Sequence, residues 1–193
     1  MKTLVLFALS LVASAAMAVQ VAPSSAISIT GTSDQLASIS NAIVSNKANS
    51  SSAEALQNIA SNAGNVTISN KSKQRAILEN SAFARNVAER NSIAQQNLAS
   101  NVGKITISGN SEQNVTVKDS ALLTNFAGAD SVAQQSLSTN VGDVIVAGAS
   151  VQTTSVGPRA VVLNAAYGHD AKAVQNIASN NSCSTFTCAN NNR

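Results

Sequence analysis

Few side chains in this sequence could carry out chemistry on a substrate. His169 is the single histidine, and the adjacent Asp170 could pair with it for acid–base work. That role needs a nucleophile or an activated water beside it, and no nucleophile accompanies the pair. It reads as a surface histidine. Glycoside hydrolysis would need two carboxyl groups converging on one face, whereas Glu112 and Asp143 fall at scattered places. Cys183 and Cys188 would need further ligands to hold zinc, and none is found near them. No phosphate-cradling glycine loop and no Gly-Gly-x-Gly-x-Asp calcium turn occurs. No enzyme activity, metal or cofactor is expected. The chemistry that does recur is hydrogen bonding by primary amides.

Those amides keep a beat of 39 residues. Gln35, Gln74, Gln113 and Gln152 form one series. Gln57, Gln96, Gln135 and Gln175 form a second, inside the phrases QNIASN, QNLASN, QSLSTN and QNIASN. Asn62, Asn101, Asn140 and Asn180 close the same phrases. Asn86, Asn125 and Asn164 match in the last three repeats, and Ser33, Ser72, Ser111 and Ser150 match throughout. The final spacing is 40, so one extra residue lies between Asn164 and Gln175. An amide has donors on one side and an acceptor on the other, so equivalent amides stacked along an axis can bond into a ladder. Asn and Ser also serve turns, and Asn101 and Asn140 precede Val-Gly. Turn chemistry accounts for Asn well and for recurrent Gln poorly.

The elements that must position these amides repeat as well. Ile27-Ser28-Ile29-Thr30-Gly31, Val66-Thr67-Ile68-Ser69-Asn70, Ile105-Thr106-Ile107-Ser108-Gly109 and Val144-Ile145-Val146-Ala147-Gly148 begin 39 residues apart. They alternate apolar and polar with β-branched residues, as half-buried strands do. The later half of each repeat is Ala-rich, for example 81–91 and 131–140, and propensity alone would allow a helix there. Ser and Asn are poor in helix interiors, so strand is the preferred reading. The expected fold is all-β, a repeat β-solenoid or cross-β stack. A faint resemblance of Gly109-x-Ser111-x-Gln113 to Gly128-x-x-Ser131-x-x-Gln134 points to about two rungs per 39-residue repeat. The repeats are mapped as 27–65, 66–104, 105–143 and 144–182, after a linker at 19–26 and before a cysteine-containing tail at 183–193.

Charge fits such stacking. Asp34, Lys73 and Glu112 alternate in sign at one repeat position, Glu79 aligns with Lys118, and Lys104 with Asp143. Asp130 and Asp170 are the one possible like pair. Lys2, the apolar run 4–13 and Ala16-Met17-Ala18 have the layout of a secretory signal peptide over residues 1–18. Removing it leaves eleven basic and nine acidic side chains, which gives no electrostatic case for nucleic acid. No later stretch is long enough to span a bilayer as a helix, so an integral membrane protein is not expected. For an exported chain an intramolecular Cys183–Cys188 disulfide is the first expectation, with free thiols or an interchain link as alternatives. Ser, Asn and Gln make up roughly a third of the chain and Trp is absent, a mix suited to a thin core.

The segments Asn140-Val141-Gly142-Asp143-Val144-Ile145-Val146-Ala147-Gly148 with Gln152, and Asn101-Val102-Gly103 through Gly109 with Gln113, resemble the repeats of the Fap functional amyloids of pseudomonads. The general plan is similar over about 27–188, although Cys183 and Cys188 are spaced more widely than that family's CxxC. The resemblance implies a secreted subunit that self-assembles into extracellular amyloid-like fibres of a biofilm matrix or cell surface. Its partners would be itself, other fibre subunits and an outer-membrane secretion pore. The alternative is a monomeric β-solenoid adhesin or binding module.

Overall fold

The computed structural model describes residues 26–50, 54–91 and 93–181. Period-two alternation governs its strands. Along Lys71–Glu79 every second side chain points inward, so Ser72, Gln74, Ala76 and Leu78 are buried while their neighbours face solvent. The Ala-rich segments are also strands, at Phe83–Ala88 and Val132–Leu137. Among the described residues there is no helix, and hence none long and apolar enough to cross a membrane.

The strands form five four-stranded sheets. Sheet 1 contains Ala26–Ile29, Asn65–Ile68, Ile105–Ile107 and Val144–Val146. Sheet 2 contains Ser33–Ser40, Lys71–Glu79, Asn110–Val117 and Ser150–Val156. Sheet 3 contains Ile43–Ala48, Phe83–Ala88, Leu122–Ala127 and Val161–Ala166. Sheet 4 contains Glu54–Ile59, Ile93–Leu98, Val132–Leu137 and Lys172–Ile177. Sheet 5 contains the two-residue strands Asn62–Ala63, Asn101–Val102, Asn140–Val141 and Asn180–Asn181. All pairing is parallel and joins each repeat to the next, as in Ser72↔Ser111 and Gln96↔Gln135. The chain is therefore a β-solenoid of four coils, here numbered 1 to 4 along the chain.

One coil takes a whole repeat, which corrects the expected two rungs per 39 residues. Gln113 and Gln134 lie in different sheets of the same coil rather than one above the other. The reason is side-chain volume. Stacked positions must match in size to leave no voids. The Ile- and Val-rich first half of a repeat cannot sit on the Ala-rich second half, but it fits the same half of the next repeat. The extra residue of the last repeat falls in the arc 167–171, because Ala127 still pairs Ala166 whereas Val132 pairs Lys172.

Three apolar clusters run along the stack. One contains Ile29, Val66, Ile68, Ile105 and Ile107. The largest includes Ala76, Leu78, Leu98, Val115, Val117, Leu123 and Leu137. The third is built of alanines alone, Ala55, Ala88, Ala94, Ala127 and Ala133, at the end where sheets 3 and 4 meet. Their small side chains let the two sheets approach closely. Corners are made by left-handed residues that recur with the coil, Ala60, Ala99, Ser138 and Ala178 among them. Gly103 and Gly142 also have positive φ, at 123° and 121°, and each packs directly on the glycine of the coil before it.

Candidate functional site

The most ordered chemistry in the structure is its interior amide array. In sheet 4, Gln175 donates to Gln135 at 2.6 Å, Gln135 to Gln96 at 2.7 Å and Gln96 to Gln57 at 2.6 Å. Gln96 and Gln135 are fully buried. In sheet 5, Asn62 donates to Asn101 at 2.9 Å, Asn101 to Asn140 at 2.8 Å and Asn140 to Asn180 at 2.9 Å. The two series run in opposite senses: glutamines donate toward coil 1, these asparagines toward coil 4.

The sheet 2 glutamines make a looser series. Gln74 donates to Gln35 and Gln113 to Gln74 at 3.4 Å each, at the long limit of a hydrogen bond. Their shorter bonds go sideways. Gln35 donates to Asn62 at 2.9 Å, Gln113 to Asn140 at 2.9 Å and Gln152 to Asn180 at 2.6 Å. Sheets 2 and 5 are thus tied across the interior, and the Asn columns are internal crosspieces rather than turn residues. The left-handed turn positions are Ala60, Ala99, Ser138 and Ala178, two residues earlier.

A fourth series is more complete than the 39-residue beat reveals. Asn46 donates to Asn86 at 2.9 Å, Asn86 to Asn125 at 2.9 Å and Asn125 to Asn164 at 2.8 Å. Asn125 also donates to the Gln134 carbonyl across the arch at 3.0 Å, and Asn86 to the Gln95 carbonyl at 3.1 Å. Asn46 escapes a strict period because coil 1 pairs with coil 2 in sheet 3 at an offset of 40. The signal that finds it is the phrase itself, an Asn two residues before a buried-face Ala. Asn97, which donates to Asn58 at 2.8 Å, extends the pattern to the other face of sheet 4. Cys183, Cys188, the 1–18 segment and the 183–193 tail lie outside the described residues.

The exposed faces carry ion pairs between coils. Lys73 meets Glu112 at 3.1 Å and Lys118 meets Glu79 at 3.0 Å, each pair at directly stacked or adjacent positions. Asp34 is held by Arg75 at 3.0 Å, two residues beyond its stacked neighbour Lys73. The Lys73 ammonium bonded to Glu112 holds its carboxyl below the ordinary value of 4.5; partial burial opposes this and Asn114 adds to it. In the pH range between the lowered value and 4.5 the unfolded chain binds more protons, so stability rises with pH there. Lys73→Met should flatten this rise. The two side chains are 28% and 36% exposed, so less than about 1 kcal/mol is expected, read from urea unfolding at about pH 3 and about pH 6.

Among the described residues one grouping could hold a metal ion. Asp130, His169 and Asp170 bring ligand atoms within 4.8 Å of one another across the arcs of coils 3 and 4. All three are exposed, with His169 Nδ1 3.4 Å from Asp170. Exposed carboxyl groups gather in this way without an ion, and no function is assigned to the cluster. On sheet 1 the outward row Ser28, Thr67, Thr106 and Ile145 is not uniform, so it offers no flat array of identical groups.

What the arrangement does is bond along its own axis. Interior coils are covered on both sides, whereas coil 4 ends in an open set of core positions. Val146, Val156 and Ile177 are 40%, 48% and 44% exposed, while their equivalents Ile107, Val117 and Leu137 are fully buried. In comparisons with known proteins, no family model, no curated protein and no solved structure matches the chain.

Proposed function

We propose that the chain is a structural subunit of an extracellular, amyloid-like fibre, exported through an outer-membrane pore and contributing to a biofilm matrix or cell surface. The observation that carries this reading is the pair of continuous interior amide ladders, Gln57–Gln175 and Asn62–Asn180, which reach both terminal coils. A strand edge with unpaired backbone groups templates further pairing unless it is covered. Here the edge strands of four-stranded parallel sheets stand at each end of the stack. The resemblance of the repeats to Fap subunits and the signal-peptide layout of residues 1–18 support export and assembly.

The purified mature chain should form unbranched fibres in electron micrographs and bind thioflavin with a concentration-dependent lag. Aligned fibres should diffract near 4.8 Å along their axis, the spacing of strands stacked as these coils are. A chain that stays monomeric and binds cells or sugars would instead be a β-solenoid adhesin.

A further inference from the structure

We infer that copies join head to tail, coil 1 of one seated on coil 4 of the copy before it, in the register that joins coils within the chain, and that Glu54 and Lys172 pair across this joint. The inference rests on the fibre reading above. Three independent features of the terminal coils point to it.

The first is apolar continuity. Ile59, Leu98, Leu137 and Ile177 form one inward column, and it is open only at Ile177. In the inferred register Ile59 of the next copy covers Ile177. Ile29 and Ile39 cover Val146 and Val156 by the same offset. Each open position of coil 4 thus meets a β-branched side chain of matching size.

The second is the sense of the ladders. Glutamines of sheet 4 donate from the later coil to the earlier one. At the joint Gln57 of the next copy then donates to Gln175. Asparagines donate from the earlier coil to the later one. Asn164 and Asn180 then donate to Asn46 and Asn62 of the next copy. Donor meets acceptor in every series.

The third is charge. Glu54, Ile93, Val132 and Lys172 occupy one outward column. This column is apolar in coils 2 and 3 and charged in the terminal coils alone, with opposite signs. Coil 1 as a whole has Asp34, Glu54 and Lys47, a net −1; coil 4 has Arg159, Lys172 and Asp170, a net +1 with His169 neutral. Joining two like ends would oppose these charges, and joining unlike ends pairs them. Stacked strands lie about 4.8 Å apart, which brings the two side chains within ion-pair reach.

The test uses the full chain with Glu54→Lys, Lys172→Glu, both together, and an equimolar mixture of the two single variants. The readouts are the soluble concentration left at the assembly plateau and the rate of elongation from wild-type seeds. Each single variant places like charges at every joint. At low salt its residual soluble concentration should rise about fivefold, and less at high salt. In the double variant, and in the mixture, every joint can again pair opposite charges, so both should return close to wild type. Rescue in the mixture cannot come from chains that fail to fold. Wild-type fibres with single variants that assemble equally well, or a mixture no better than its components, would overturn the inferred joint while leaving the fibre reading standing. A wild-type chain that forms no fibres would overturn both.

Discussion

Gly142→Val should destabilise the solenoid by about 4 kcal/mol or more, enough to abolish folding of a marginal chain and with it any assembly. Gly142 has φ +121°, outside the range open to a residue with a Cβ, and that cost alone is about 1–3 kcal/mol. The added carbon would also overlap the backbone carbonyl of Gly103 on the coil before it. Neither group can turn aside, because both belong to the main chain that closes one coil and opens the next. Gly128→Ala is the matched comparison. Gly128 lacks a positive φ, and its Cβ would meet Glu89 Cα at an ordinary 3.4 Å. That variant should change stability by less than about 0.5 kcal/mol. Urea midpoints by circular dichroism, with fibre yield alongside, distinguish the two.

Gln135→Glu should produce a protein stable in acid and weak at neutral pH. Gln135 is fully buried, donating to Gln96 and accepting from Gln175. A protonated carboxylic acid can do both. An ionised carboxylate can only accept, which leaves Gln96 facing an unprotonated oxygen in a dry interior. Burial therefore raises the folded-state pKa of the introduced glutamate above its ordinary value. Its folded form binds the extra proton more tightly than the unfolded chain does. Stability is full below the ordinary glutamate value and falls as pH climbs from there through the raised one. At about 1.36 kcal/mol per pH unit, the loss by pH 7 is about 3 kcal/mol. Gln95→Glu, on the partly exposed face of the neighbouring strand Ile93–Leu98, should show a much smaller dependence. Thermal melts from about pH 3 to about pH 8 read the difference directly.

The sequence made the axis of this fold visible and left its cross-section obscure. Recurrent Gln74, Gln113, Gln96 and Gln135 expose the period because an interior amide tolerates no substitute that lacks both donor and acceptor. Strand alternation at Val66–Ile68 and Ile105–Ile107 likewise reads straight from β-branched residues. The number of residues per coil did not, since Gly109–Gln113 and Gly128–Gln134 share polar letters while differing in the volume of their inward neighbours, and volume decides what can stack. Asn46 was hidden by a corner one residue shorter in coil 1 than in coil 2, compensated before Glu54. The role of Asn101 and Asn140 was ambiguous for a different reason. Asparagine suits both a corner and a ladder, and the corner is instead taken by Ala60, Ala99, Ser138 and Ala178, three of them alanines, which composition does not mark as turn formers. Lys73 and Glu112 were legible as alternating charges, but Asp34 reaches Arg75 because a long guanidinium arm spans neighbouring rows.

The opposed sense of the glutamine and asparagine series has an electrostatic consequence for the ends of the stack. Every primary amide is a small dipole, and columns of them all aligned would leave opposite partial charges at the two ends of the stack, much as peptide units do along a helix. Here the sheet 2 and sheet 4 columns point one way and the sheet 3 and sheet 5 columns the other, so their moments largely cancel within each coil. The paired backbone groups of sheets contribute little net moment of their own. An assembly of such coils therefore carries little amide-derived charge at either tip for an arriving subunit to meet.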